Sequence, residues 1–278
     1  MANVVKDQSR LKVLQKIDEY EKAKMFDVDV EDDPPTIPLM PDKVDYLKTK
    51  FTSKIKTKIM NYFAKKYINN LIKSKKLIIK NIIGIENMSH LKSGAIITCN
   101  HFNAYDNFAI QKCFELSGQE KKRKLFKVIR EGNYTSFPGL YGKFFRNCNT
   151  LPLSSVNETM KNFLLAVDTI LNRGDFILIY PEQAMWWNYK KIRPFKDGAF
   201  KFAAKANVPV LPIFITMKDS QILGNDGFYI QEYTIHIFPP IYPSATKNQK
   251  QSAKDLKDKN FLLCKNKYEE VYKQPLKY

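Results

Sequence analysis

Paired cysteines are the first thing this chain lacks. Its four, Cys99, Cys113, Cys148 and Cys264, are scattered, with no C-x-x-C pair. Neither a zinc site nor a disulfide framework is expected, and reduced thiols in a cytoplasm suit the pattern. No stretch reaches the roughly 18 apolar residues of a spanning helix. The greasiest run, Leu77 to Ile85, is broken by Lys80 and Asn81. The opening residues, Met-Ala-Asn-Val-Val-Lys-Asp, hold no apolar core of the signal-peptide kind. Internal repeats and low-complexity tracts are missing as well. The expectation is a cytoplasmic protein that does not span a membrane.

Acidic residues are in short supply: 28 Asp and Glu stand against 46 Lys and Arg, a net charge of +18. Such an excess points to an anionic partner, whether nucleic acid, an anionic membrane surface or an acidic carrier protein. Most of it is lysine, a point charge, whereas arginine is the residue of bidentate reading. Sequence-specific nucleic-acid binding is disfavoured on that ground. With 44 % hydrophobic and 27 % charged residues in a chain of 278, the composition is that of a globular protein able to bury a substantial core.

Residues 8 to 25 read as a charged, weakly amphipathic helix. An acidic loop follows (Asp27, Asp29, Glu31, Asp32, Asp33), closed by Pro34, Pro35, Pro38 and Pro41. We therefore divide the chain into an N-terminal helical and acidic extension, 1–45, and a main domain, 46–278. The main domain opens with a basic amphipathic helix, 46–76. From Tyr46 to Ile85 there is no acidic residue, and Leu47, Phe51, Ile55, Ile59, Phe63, Tyr67 and Leu71 recur every four residues among the lysines. That spacing draws one helix face. Such a stripe can lie in a lipid interface, or pack on a core while the lysines face solvent.

Beyond Ile85, short apolar runs mark buried strands at Ala95–Cys99, Leu125–Ile129, Phe176–Tyr180, Val210–Ile215 and Thr234–Phe238. Helical stretches lie near 104–117, 156–173 and 198–206, and a closing helix runs from about 252 to 274. Ser155 and Glu158 have the spacing of a capping box, Gly174 follows that helix, and Gly224-Asn-Asp-Gly227 marks a turn before the last strand. Alternation of strand and helix predicts an α/β fold: a largely parallel or mixed central sheet flanked by helices, with the N-terminal helical extension added.

Two strand ends carry chemistry. Asn100-His101 follows the strand Ala95–Cys99, and Asp106 comes five residues after the histidine. Open α/β sheets place their sites at such carboxyl ends. A carboxylate at this spacing can fix one imidazole tautomer while the other nitrogen takes a proton. By itself the pair also fits a helix-capping aspartate beside a structural histidine. Pro181-Glu182-Gln183 follows the strand Phe176–Tyr180. Next come Lys190, Lys191 and Arg193, then Phe195-Lys196-Asp197-Gly198-Ala199-Phe200, and Val208-Pro209-Val210-Leu211-Pro212-Ile213. His236, alternating with apolar neighbours, reads as structural. Trp186 and Trp187 fit an apolar channel, a lipid interface or a packed pair.

The set N-H-x-x-x-x-D, P-E, F-K-x-G-A-F and V-P-V-x-P-I, in this order over roughly residues 80 to 245, resembles the glycerophospholipid acyltransferases, and within them the bacterial 1-acylglycerol-3-phosphate branch. The resemblance implies that His101 is the general base that deprotonates an acceptor hydroxyl and that Asp106 orients it. It implies acceptor binding or site integrity for Glu182, and an acceptor site near Asn100. Acyl-CoA or acyl-carrier protein would be the co-substrate, with no metal or prosthetic group. Phospholipid biosynthesis by a peripheral enzyme at the inner face of the membrane, with a lysolipid acceptor, is the function so implied.

Two departures leave the acceptor open. The family pattern Glu-Gly-Thr-Arg is here Glu182-Gln183-Ala184-Met185, and an apolar-Pro-apolar-x-Arg stretch is here Leu151-Pro152-Leu153-Ser154-Ser155. Both lose an arginine that would grip phosphate. Lys190, Lys191, Arg193 and Arg146 are the candidate replacements, with Arg193 favoured for its planar fork; the alternative is that the 190–193 cluster merely faces solvent or membrane. Another lysolipid or a glycolipid is the alternative acceptor. A non-enzymatic basic protein binding lipid or nucleic acid is the rival of a different class.

Overall fold

A computed structural model describes residues 5–32 and 35–278; Asp33 and Pro34 of the acidic loop and the first four residues lie outside the described residues. In chain order the elements are α1 (Gln8–Lys22), α2 (Phe51–Lys73), β1 (Ile78–Ile83), α3 (Ile85–Ser89), β2 (Ala95–Thr98), α4 (Asp106–Leu116) and β3 (Leu125–Ile129). There follow α5 (Glu131–Thr135), α6 (Gly139–Asn147), β4 (Thr150–Pro152), α7 (Asn157–Asn172) and β5 (Phe176–Ile179). The chain closes with α8 (Gly198–Ala206), β6 (Val210–Leu223), β7 (Tyr229–Ile237) and α9 (Gln249–Tyr272).

The strands form one sheet in the order β1-β7-β6-β2-β5-β3-β4. Every pairing is parallel except the β6–β7 hairpin, closed by the expected turn, where the Gly227 N–H donates to the Gly224 carbonyl. This is the predicted α/β architecture. Successive residues of β2 face opposite ways, and both faces are covered. Ala95 and Ile97 join a core beneath α3 and α4, while Ile96 joins the core beneath α7 and α8. Full burial on both sides explains why the central strands read as unbroken apolar runs.

Two strands escaped the sequence reading. β4 is three residues long, and β1 is an edge strand whose Lys80 and Asn81 remain exposed beside a bulge between Ile79 and Asn81. Polar residues on an edge strand interrupt the run without breaking the pairing. The expected capping box is not formed. The N-cap of α7 is Val156 without a side-chain cap, because Glu131 draws Ser155 away, accepting its N–H at 3.0 Å and the Ser154 hydroxyl at 2.9 Å.

The apolar stripe of α2 divides. Ile68 and Leu71 are buried and Tyr67 packs against the core, whereas Phe51 (77 % exposed), Ile55, Ile59, Tyr62 and Phe63 stand in the open among exposed lysines. Apart from Thr57, the buried residues of α2 lie at its C-terminal end. No helix among the described residues is long and apolar enough to cross a membrane.

Candidate active site

β2 and β5 are parallel neighbours with Thr98 opposite Ile179, so their carboxyl ends deliver His101 and Tyr180 together. The two rings stack with centroids 4.0 Å apart and planes 16° from parallel. His101 Nδ1 lies 2.8 Å from Asp106 Oδ2, and the Tyr180 hydroxyl donates to Asp106 Oδ1 at 2.7 Å. The Phe102 and Asn103 N–H groups also donate to Asp106 Oδ2, at 3.0 and 3.2 Å. Asp106 is fully buried, while the His101 side chain keeps 21 % exposure. Four donors therefore fix the carboxylate, and it fixes the imidazole. Nε2 of His101 has no hydrogen-bond partner among the described residues.

Burial first, then the Asp106 charge, push the Tyr180 phenol well above its ordinary range, so it stays protonated and can only donate to that carboxylate. Tyr180 was read as a strand residue and missed as part of the site. The one available signal was its place at the end of the strand beside that of His101.

Glu182 is turned inward. Its carboxylate accepts the His101 N–H at 3.1 Å, the Arg193 N–H at 3.0 Å and Arg193 Nη2 at 2.9 Å. Arg193 is fully buried, donates to the carbonyls of Phe26 (3.0 Å), His101 (3.3 Å) and Ala184, and stacks over Trp186. The expectation that Arg193 grips a head group is thus corrected: every partner of its fork is protein, because the loop from 182 to 193 folds it behind His101. Gln183, where the family pattern has glycine, adopts φ +64°, the left-handed conformation that glycine takes freely. The loop keeps a glycine-like backbone without the glycine.

Three of the other expected substrate contacts are also spent internally, whereas Lys190 is exposed. Asn100 is buried and pairs with the backbone of Ile215 in both directions, at 2.8 and 3.0 Å, extending β2 toward β6. Lys191 pairs with Glu21 of α1, and Lys190 lies 6.0 Å over the Tyr272 ring. Arg146, on α6, braces the carbonyls of Tyr134 and Phe137 at 3.1 and 3.2 Å. Of the residues expected at the site, the structure brings His101 and Asp106 together, with Glu182 supporting from behind. Trp186 and Trp187 are a packed pair, buried among Val13, Ile17, Phe26 and Val30.

A cation the sequence reading passed over stands nearby. Lys127 of β3 approaches the Asn107 side chain at 3.4 Å, next in sequence to Asp106. Burial pushes its ammonium down to about 8. Its only sequence signal was a lysine inside an otherwise apolar strand. No group of metal-ligating side chains forms among the described residues.

The family model described as Acyltransferase matches residues 80–216, which contain His101, Asp106, Tyr180, Glu182 and Arg193. Those residues, just under half of the chain, form an acyltransferase domain, and the protein is an acyltransferase. Searching curated proteins finds no match. Among solved structures, similarity is found to the 1-acyl-sn-glycerophosphate acyltransferase PlsC of Thermotoga maritima: 17 % identity over 80 % of this chain and 82 % of that one, TM-score 0.48. Similarity is also found to the pilus retraction motor PilT with bound ADP: 11 % identity over 73 % and 64 %, TM-score 0.33. Both TM-scores lie below 0.5, too low to assign fold or function.

Proposed function

We propose that the protein transfers a fatty-acyl group from a thioester, acyl-CoA or acyl-carrier protein, to the free hydroxyl of a lysophospholipid at an anionic membrane surface, with 1-acylglycerol-3-phosphate as the first acceptor to test. The observation that carries this reading is the His101–Asp106–Tyr180 assembly, which leaves one imidazole nitrogen without a partner in a side chain that keeps 21 % exposure. Nε2 of His101 takes the proton of the acceptor hydroxyl as its oxygen bonds to the acyl carbon. The C–S bond then breaks, and the imidazolium returns that proton to the departing thiolate. Asp106 stabilises the imidazolium, and Tyr180 and two backbone N–H groups keep the carboxylate aimed at Nδ1.

Lys127 is the cation we assign to the acceptor's phosphate in place of the absent arginines, since it lies beside the Asp106–Asn107 turn. The exposed apolar end of α2, ringed by lysines, is the surface we assign to the membrane. A lysolipid panel decides the matter: labelled acyl-CoA and acyl-carrier protein are offered with phosphorylated and uncharged acceptors, and products are identified by mass. Acyl transfer should depend on His101 and favour the phosphorylated acceptor. Full activity of His101→Ala would refute the mechanism, and preference for an uncharged acceptor would favour a glycolipid.

A further inference from the structure

A second polar site lies at the root of α2. A cavity of about 170 Å³ opens between the start of that helix and the end of α6, lined by Lys48, Lys50, Ser53, Lys56 and Arg146 among others. Two carboxylates border it, and both are engaged. Asp42 pairs with Lys43 at 2.9 Å, and Asp45 accepts the N–H groups of Thr49 and Lys50, each at 3.0 Å. Lys48 is different. It is only 8 % exposed, and its ammonium makes no hydrogen bond or ion pair with any described residue. Burial pushes it below the ordinary lysine range. Beside it α2, 23 residues long, begins without a side-chain cap, so its first N–H groups and the positive end of its dipole face the same region.

We propose that this cavity binds the phosphate of an anionic membrane phospholipid, as a site distinct from the acyl acceptor's. Phosphate is the anion that the unpartnered Lys48 ammonium, the Nε and Nη2 of Arg146 left over from its carbonyl contacts, and a helix N-terminus together suit. The separation follows from the sheet. Arg146 leads into β4, and Tyr46, just before Lys48, donates to the Pro152 carbonyl of the same strand at 2.9 Å. β4 stands three places from β2, which carries His101, hence about 14 Å away at the usual strand spacing. The phosphate of a glycerol acceptor sits within two carbons of its reacting hydroxyl and does not span that gap. A lipid is the occupant because the exposed apolar stripe of α2 starts at Phe51, directly after Lys50. The inference rests on the membrane reading above and not on the identity of the acceptor.

Vesicle binding by the full chain tests it. Neutral vesicles are doped with phosphatidylglycerol or with oleate to the same surface potential, so that only the phosphate differs. Wild type should bind the phosphatidylglycerol vesicles about tenfold more tightly, the scale of hydrogen bonds to a charged group. Lys48→Met should lose that margin, and Lys48→Arg should retain it. Lys58→Met, which removes one exposed charge outside the cavity, should weaken both bindings and keep the margin. Because Lys48 is buried without a partner, its Met variant should melt no lower than wild type. A margin unchanged in Lys48→Met overturns the proposal. So does a Lys48-dependent rise in Tm with inorganic phosphate or coenzyme A, which would assign the cavity to a soluble anion. Failure of wild type to bind either vesicle overturns the membrane reading too, whereas acyl transfer to detergent-dispersed acceptor is measured separately.

Discussion

Replacing Arg193 by methionine separates a supporting role from a substrate-gripping one. The side chain is fully buried, and its fork bonds Glu182 at 2.9 Å and three backbone carbonyls. Methionine fills much of the space but leaves the Glu182 carboxylate buried with the N–H groups of His101 and residue 193 as its remaining partners. Breaking a buried pair from one side costs about 3–5 kcal/mol. Two surviving backbone donors place this case near the lower end, about 3 kcal/mol. For a chain of this size that corresponds to a fall in Tm of about 6–12 °C. Lys190→Met, at an exposed position, should change Tm by less than about 2 °C.

Calorimetric melting of both variants, with acyl transfer measured well below Tm, provides the comparison. The supporting role predicts a large loss of Tm and a lower kcat for phosphorylated and uncharged acceptors alike, since the loop behind His101 is disturbed. The double variant Glu182→Gln/Arg193→Met should recover part of the stability, because no buried charge is then left over. An Arg193→Met protein that melts like wild type and loses only affinity for phosphorylated acceptors would refute this reasoning and return Arg193 to the substrate.

Asp106→Asn should reduce kcat by about 10²-fold or more, through loss of the tautomer and of charge opposite the imidazolium; Tyr180→Phe, losing one hydrogen bond, should cost about fivefold, and both are read in steady-state kinetics. With the Lys127 ammonium held near 8, kcat/KM for a phosphorylated acceptor should fall as pH rises through that value, and Lys127→Arg should abolish the fall. His236, bonded to Thr216 and held down to about 4 by burial, is neutral when folded; its contribution is complete above pH 6.5 and lost as pH falls toward 4, so His236→Gln should flatten the urea midpoint over that window. Changing Lys54, Lys58 and Lys66 to Gln should weaken sedimentation with anionic vesicles by about fivefold per charge at low salt, and little at high salt.

The sheet was legible where burial on both faces forced continuous apolar runs, as in β2, fully buried over Ala95–Thr98, which the sequence reading overran by one residue. It was illegible at the edges, where β1 tolerates Lys80 and Asn81 because one side of the strand needs no partner. His101 and Asp106 could be paired because five residues of one turn connect them. Tyr180 could not, because its closeness to His101 arises from a pairing between strands some eighty residues apart. Arg193 shows the same limit from the other side. A cationic cluster looks alike in sequence whether it meets solvent or a buried carboxylate, and the partner that decides, Glu182, depends on how the loop turns at Gln183.

The N-terminal extension gains its importance through that same loop. Trp186 donates its indole N–H to the Val28 carbonyl at 2.9 Å, and Arg193 donates to the carbonyl of Phe26. Around these buried contacts the acidic residues meet basic partners: Asp27 with Lys196, Glu31 with Arg10, Asp29 with Arg130, and Glu21 with Lys191. Exposed pairs of this kind contribute little each, so they direct the segment more than they hold it. The holding comes from Val13, Ile17, Phe26 and Val30 packed on the tryptophans. The segment therefore forms the rear wall of the loop that carries Glu182, and Glu182 holds the backbone of His101. A weakened extension would reach His101 through three successive contacts, Phe26 to Arg193, Arg193 to Glu182 and Glu182 to the His101 backbone.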